Sequence, residues 1–205
     1  MKAQSGIIST VLITGILITL VGVTYFWGVP LIEKQSLKTQ FDSATSFMKE
    51  LDTAVAEVAN SGGNKELNIP LGTLRIDPDA GGKNSATLEF FTGQPIVEPG
   101  NEVYLGDVTF EDIEKQIGVF GKSKAGLTSM IATKAGETFK ISFTLRYREL
   151  DDQQSGDGYK ISLAKGLSSA GTKKLTIKAG GREVKKGMAS SGGDLILTLV
   201  NLEVT

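Results

Sequence analysis

Chemistry in this sequence would have to come from three clusters of oxygen-bearing side chains. Asp77, Asp79 and Asn84 surround the stretch Asp77-Pro78-Asp79-Ala80-Gly81-Gly82, and oxygen ligands spaced about a glycine turn are what a calcium loop needs. The bidentate glutamate of such a loop is not at its place, so the segment reads as a solvated proline–glycine turn. Asp151, Asp152 and Asp157 cluster in a second glycine-bearing loop and read the same way. Glu111, Asp112 and Glu114 read as the polar side of a short helical turn within Thr109–Gln116. Two carboxylates facing each other could hydrolyse a glycosidic bond, but nothing in the spacing sets a pair across one cleft.

The missing residue types narrow the field further. The 205 residues include no histidine and no cysteine. The usual proton shuttle at neutral pH, the commonest zinc ligand, thiol chemistry and disulfides all go with them. We therefore expect no enzyme, no metal and no cofactor. A net charge of −1 gives no case for nucleic acid, which calls for a clustered basic surface. Lys173, Lys174, Lys178, Arg182, Lys185 and Lys186 make the C-terminal third locally basic. Scattered through a hairpin pattern they read as a solvated face, with attachment to an acidic surface as the alternative. No Asn-X-Ser/Thr sequon occurs, Asn84-Ser85-Ala86-Thr87 being the nearest miss.

The elements that would position any site fall into two halves. The 30 residues from Ala3 to Ile32 carry no charge. As a helix they reach roughly 45 Å, more than a hydrocarbon core requires. Tyr25, Phe26 and Trp27 stand where an aromatic belt would meet headgroups. The stretch is too long, and too bulky at its end, for an ordinary cleaved secretory signal. Pro30 is expected to kink the helix. Beyond it Leu37, Phe41, Ala44, Met48, Leu51, Val55 and Val58 recur at three and four, one apolar stripe that stops at Asn60-Ser61-Gly62-Gly63. Phe41, Met48, Leu51 and Val55 are the residues expected to pack on a folded domain.

After Gly63 the period becomes two. Strands are expected at Thr138–Arg148 and Leu195–Val204, with shorter ones at Leu67–Ile76, Thr87–Phe91, Glu102–Val108, Gly118–Phe120, Leu127–Ala132, Tyr159–Leu163 and Lys174–Ala179. Turn signals, Gly180-Gly181 among them, separate them, and the 25 glycines fit many short strands. The fold class is α+β: a long kinked hydrophobic helix over 4–62 (apolar 7–32, amphipathic 33–59), then a β sandwich-like domain, Ig-like or barrel, over 63–205.

Lys2-Ala3-Gln4-Ser5-Gly6-Ile7-Ile8 resembles the class III signal of archaeal type IV pilins and archaellins, where a basic and a small residue precede the scissile bond and an apolar helix follows. The resemblance covers about the first 30 residues. It implies a leader over 1–3, cleavage between Ala3 and Gln4 by a membrane prepilin peptidase, and handling by a type IV pilus-like assembly machinery. The leader is very short, and the fifth residue of the mature chain would be Ile8 rather than the glutamate of most bacterial type IV pilins.

Small and hydroxyl residues recur along the span at Gly6, Thr10, Thr14, Gly15, Thr19 and Gly22, a face that lets helices approach closely and lets hydroxyls bond across them. The leading expectation is a membrane-inserted precursor that becomes the structural subunit of an extracellular helical homopolymer serving adhesion or motility. The alternative is a permanently membrane-anchored β module at the cell envelope, such as an archaellum stator-like component or a binding protein.

Overall fold

The computed structural model describes residues 2–106, 117–165 and 173–204. Thr109–Gln116, and with it Glu111, Asp112 and Glu114, lies outside the described residues, as does Met1. The fold is α+β: one long N-terminal helix, then two β-sheets. By contact the chain forms two compact units, Met1–Gln40 and Phe41–Thr205.

Helix α1 covers Lys2–Ser61 and includes Pro30. The expected kink at Pro30 does not interrupt it. Proline withholds one i→i−4 hydrogen bond, and the helix assignment runs on through that gap. At the C-terminus the amide of Gly62 donates to the carbonyl of Val58 at 2.9 Å. Gly62 and Gly63 then take φ of +78° and +85°, a left-handed conformation that ends a helix and suits residues without a Cβ.

The eleven strands are β1 (Asn64–Asn68), β2 (Thr73–Asp77), β3 (Ser85–Thr92), β4 (Glu102–Leu105), β5 (Ile117–Val119), β6 (Gly126–Ala135), β7 (Thr138–Tyr147), β8 (Glu149–Asp151), β9 (Gly158–Lys165), β10 (Lys174–Lys185) and β11 (Leu195–Val204). One sheet runs β2-β3-β7-β6-β4 and is antiparallel throughout. The other runs β1-β10-β11-β9-β8-β5 and is mixed, with β9 parallel to β11 and β5 parallel to β8.

Two expected boundaries give way for local reasons. Leu67–Ile76 is not one strand. Pro70 has no amide to donate and Gly72 turns at φ +67°, so the chain leaves the mixed sheet after β1 and enters the antiparallel one as β2. Conversely, Gly180-Gly181 is not a turn. The pairing steps from Ala179 to Gly181 across a bulge, and β10 continues to Lys185.

Both sheets and the second half of α1 share one apolar core. From the helix come Ala44, Phe47, Met48, Leu51, Ala54, Val55 and Val58, joined by Leu88, Phe90, Ile141, Phe143 and Leu145 of the antiparallel sheet and Leu163, Leu175, Ile177, Val200 and Leu202 of the mixed one. Along β7 Ile141, Phe143, Leu145 and Tyr147 are buried on one face, while on the other Arg146 is exposed and Ser142 is buried.

Candidate functional site

Two features could carry function: the surface of the apolar half of α1 and the way its other half is built into the domain. From Val11 to Ile32 the large apolar side chains of the helix are solvent-exposed in the single chain, Phe26 and Trp27 to 80% and 79%, with Val29 alone half-buried. Apolar surface on that scale is stable only against lipid or another protein. By length and composition this helix can cross a membrane.

Within the span, Leu12, Gly15, Ile16, Thr19, Leu20 and Val23 line a shallow apolar groove at helical spacing. A Cβ added at Gly15 or Gly22 would meet no other atom within 4 Å. Nothing in the chain itself therefore requires glycine at either position. Two of the span's hydroxyls bond within the helix. Thr14 donates to the carbonyl of Thr10 at 2.8 Å and Thr19 to that of Gly15 at 2.9 Å. This back-bonding uses the hydroxyl proton inside the helix and leaves only acceptor lone pairs facing outward. Lys2, Ala3, Gln4 and Gly6 lie in the first turns of α1.

The other half of the helix is core. Met48, Leu51 and Val55 are fully buried, and Phe41 is half-buried with its ring 5.8 Å from that of Phe143. Phe143 stacks in turn on Phe90 at 6.0 Å. Phe47 and Ala54 are buried with them. They were absent from the apolar stripe because it was drawn one residue wide, whereas a helix embedded in a core buries a face wider than 100°.

One polar pair locks helix to sheet. The hydroxyl of Tyr147 donates to the carboxylate of Asp52 at 2.9 Å, and only a glycine at 126 leaves room for that carboxylate against β6. Burial pushes the Asp52 pKa above its ordinary value, opposed by the Tyr147 hydrogen bond and by Lys124. Burial and the Asp52 charge push Tyr147 well above the ordinary 10.0.

Asp79 and Asn84, from the first oxygen cluster, link segments of the two sheets. Asp79 accepts from Lys160 at 2.6 Å and from Ser162 at 3.1 Å, both on β9. Asn84 is buried with φ +49°. Its amide donates to the carbonyls of Tyr147 at 3.0 Å and Ile161 at 2.8 Å, and its side-chain oxygen accepts from the amide of Leu163 at 2.8 Å. That strut between β7 and β9 had one signal in the sequence, since asparagine tolerates the left-handed conformation better than other non-glycine residues.

Asp152 accepts from the Gln154 amide and the Ser155 hydroxyl, both at 3.0 Å, which holds its pKa below the ordinary value. Asp157 accepts from the Asp194 amide at 3.1 Å. Among the described residues no three acidic side chains are placed to hold a metal ion. A cleft of about 590 Å³ opens beside Asn84, lined by Lys83, Arg146, Arg148 and Lys160 among others. Two of its cations are already engaged, Lys160 with Asp79 and Arg148 with the Lys124 carbonyl at 3.1 Å. Comparison with protein-family models, with curated proteins and with solved structures gives no match for this chain.

Proposed function

We propose that this protein is the structural subunit of an extracellular filament of the archaeal type IV pilus-like kind, its apolar helices forming the core and its β domains the exterior. One observation carries the reading: a single helix whose first half exposes most of its large apolar side chains and whose second half is part of a domain core. The exposed half is stable in lipid before assembly and against identical helices afterwards. The embedded half couples any force on the helix directly to the domain. Gly15, a glycine that the single chain does not need, sits in the groove that a neighbouring helix would fill.

The decisive experiment is electron microscopy of material sheared from cells, with mass spectrometry of its subunit. The proposal expects filaments composed of this chain with Gln4 as the first residue. A chain that stays in the membrane with Met1 intact, and no filaments containing it, overturns the proposal in favour of a permanently anchored envelope module.

A further inference from the structure

Among the described residues, the mixed sheet has an open edge. β1 pairs with β10 only as far as Lys178, and the amide of Ala179, bonded to the Gly63 carbonyl at 3.1 Å, is the last link on that side. Beyond the bulge, Gly181–Lys185 pairs with β11 alone. Every residue of this stretch is exposed on both faces, Val184 to 54%, and Met188 just past it to 65%. An unpaired strand edge with apolar side chains is a template for another strand.

Arg182, Lys185 and Lys186 and the bulge guard that edge in the way natural sheets discourage indiscriminate pairing. Guarding by charge is selective, because it repels basic strands and admits acidic ones. The same chain carries an acidic edge. The antiparallel sheet ends in β4, whose one neighbour among the described residues is β6. β4 presents Glu102 and half-exposed Val103 and follows a turn containing Glu98. The stretch Gly181–Lys186 holds Arg182, Lys185 and Lys186 against one acid, Glu183, so pairing of β10 with a second β10 sets net positive charge against net positive charge, which opposes it. Pairing of β10 with β4 brings lysines to glutamates.

We infer that the free edge of β10 pairs with the β4 edge of a neighbouring copy, joining the two sheets into one across the subunit boundary. Such a contact uses different surfaces on its two sides, so it does not close and repeats along a polymer. A seam of about four residues is too small to hold a dimer together in solution. It rests on the filament reading, because the array of helices supplies the effective concentration that makes it form.

The test uses filaments of the full chain and a zero-length carbodiimide cross-linker that joins lysine to carboxylate. Wild-type filaments should give a covalent dimer whose linked peptides join Lys185 or Lys186 to Glu98 or Glu102. The double variant Lys185→Glu/Lys186→Glu removes the amines and with them these links, and adding Glu98→Lys/Glu102→Lys, which swaps amine and carboxylate across the seam, should restore them at the same four positions. All four positions lie outside the core, so the membrane-bound level of each variant reports that it folds. Wild-type filaments without these links, or filaments of the fourfold variant that do not regain them, overturn the pairing and leave the filament reading standing. Absence of filaments from the wild type overturns both.

Discussion

Leu51→Ala measures how far α1 belongs to the domain. Leu51 is fully buried in the cluster that also holds Leu88, Phe143 and Val200. Leucine-to-alanine changes in cores cost about 2–5 kcal/mol, depending on how far the surroundings collapse. Here the walls are strands of two hydrogen-bonded sheets and collapse poorly, so we expect about 3–4 kcal/mol. In a soluble fragment starting at Gln35, with a urea slope of ~2 kcal/mol per molar, the unfolding midpoint should fall by roughly 1.5–2 M. Lys49→Ala, on the exposed side of the same helix, should shift it by less than ~0.3 M. Removing Phe47, Met48, Leu51, Val55 and Val58 together, each contributing ~1.5–3 kcal/mol, costs about 7.5–15 kcal/mol, comparable to the ~5–15 kcal/mol by which domains are stable. A fragment starting at Gly62 should therefore not fold. A cooperative unfolding transition from that fragment, or a Leu51→Ala midpoint indistinguishable from that of Lys49→Ala, would refute the claim that the helix is core.

Three other outcomes follow from particular contacts. Because the folded pKa of Asp52 lies above its ordinary 3.8, the folded state holds the proton longer than the unfolded one, so this group's contribution is complete below pH 3.8 and is lost as pH rises through the folded value. Asp52→Asn should therefore gain in stability relative to wild type from about pH 4 upward and then level off, and a gap that narrows with rising pH in urea titrations would contradict it. Asn84→Ala removes three hydrogen bonds to the backbone, two of them buried, at ~1–3 kcal/mol for each buried one, and adds left-handed strain of about 1 kcal/mol; Asn84→Gly should recover only the strain, and equal melting curves for the two would remove strain from the account. Gly15→Leu should insert in the membrane as well as wild type yet yield few or no sheared filaments, while Leu17→Ile yields normal amounts, because a leucine side chain fills the groove that a packed helix would occupy.

What the sequence made legible depended on the range of each physical signal. The helical stripe and the strand alternation along Thr138–Tyr147 are local periodicities, and they placed Met48, Leu51, Val55 and Phe143 before any fold was known. The stop after Ser61 was equally local, two glycines at positive φ. Sheet membership was not legible. Whether Leu67–Ile76 is one strand or two depends on Pro70 and Gly72 handing the chain between sheets, and only the tertiary pairing shows it. The reading of Asp79 and Asn84 as parts of a solvated turn falls short for a related reason: among their partners are Lys160, Ser162, Ile161 and Leu163, some 80 positions away along the chain. A polar residue spaced for a ligand looks the same in sequence as one spaced for a distant backbone.

The division of α1 sets the order in which such a subunit could be made and used. A domain hung on a flexible linker folds and unfolds without reference to its anchor. Here the segment from Phe41 to Val58 supplies core that both sheets pack around, so the β domain cannot complete its core until that part of the helix is in place. The apolar half has no such role, since its groove and its unneeded glycines face outward. On the filament reading, a folded domain can thus exist with the span still in lipid, and transfer of the span from lipid to neighbouring helices need not disturb the domain. Pulling a domain off an assembled helix, by contrast, requires exposing Phe47, Met48, Leu51, Val55 and Val58 together. That costs about as much as unfolding it, which makes the tie between core and exterior as strong as the domain itself.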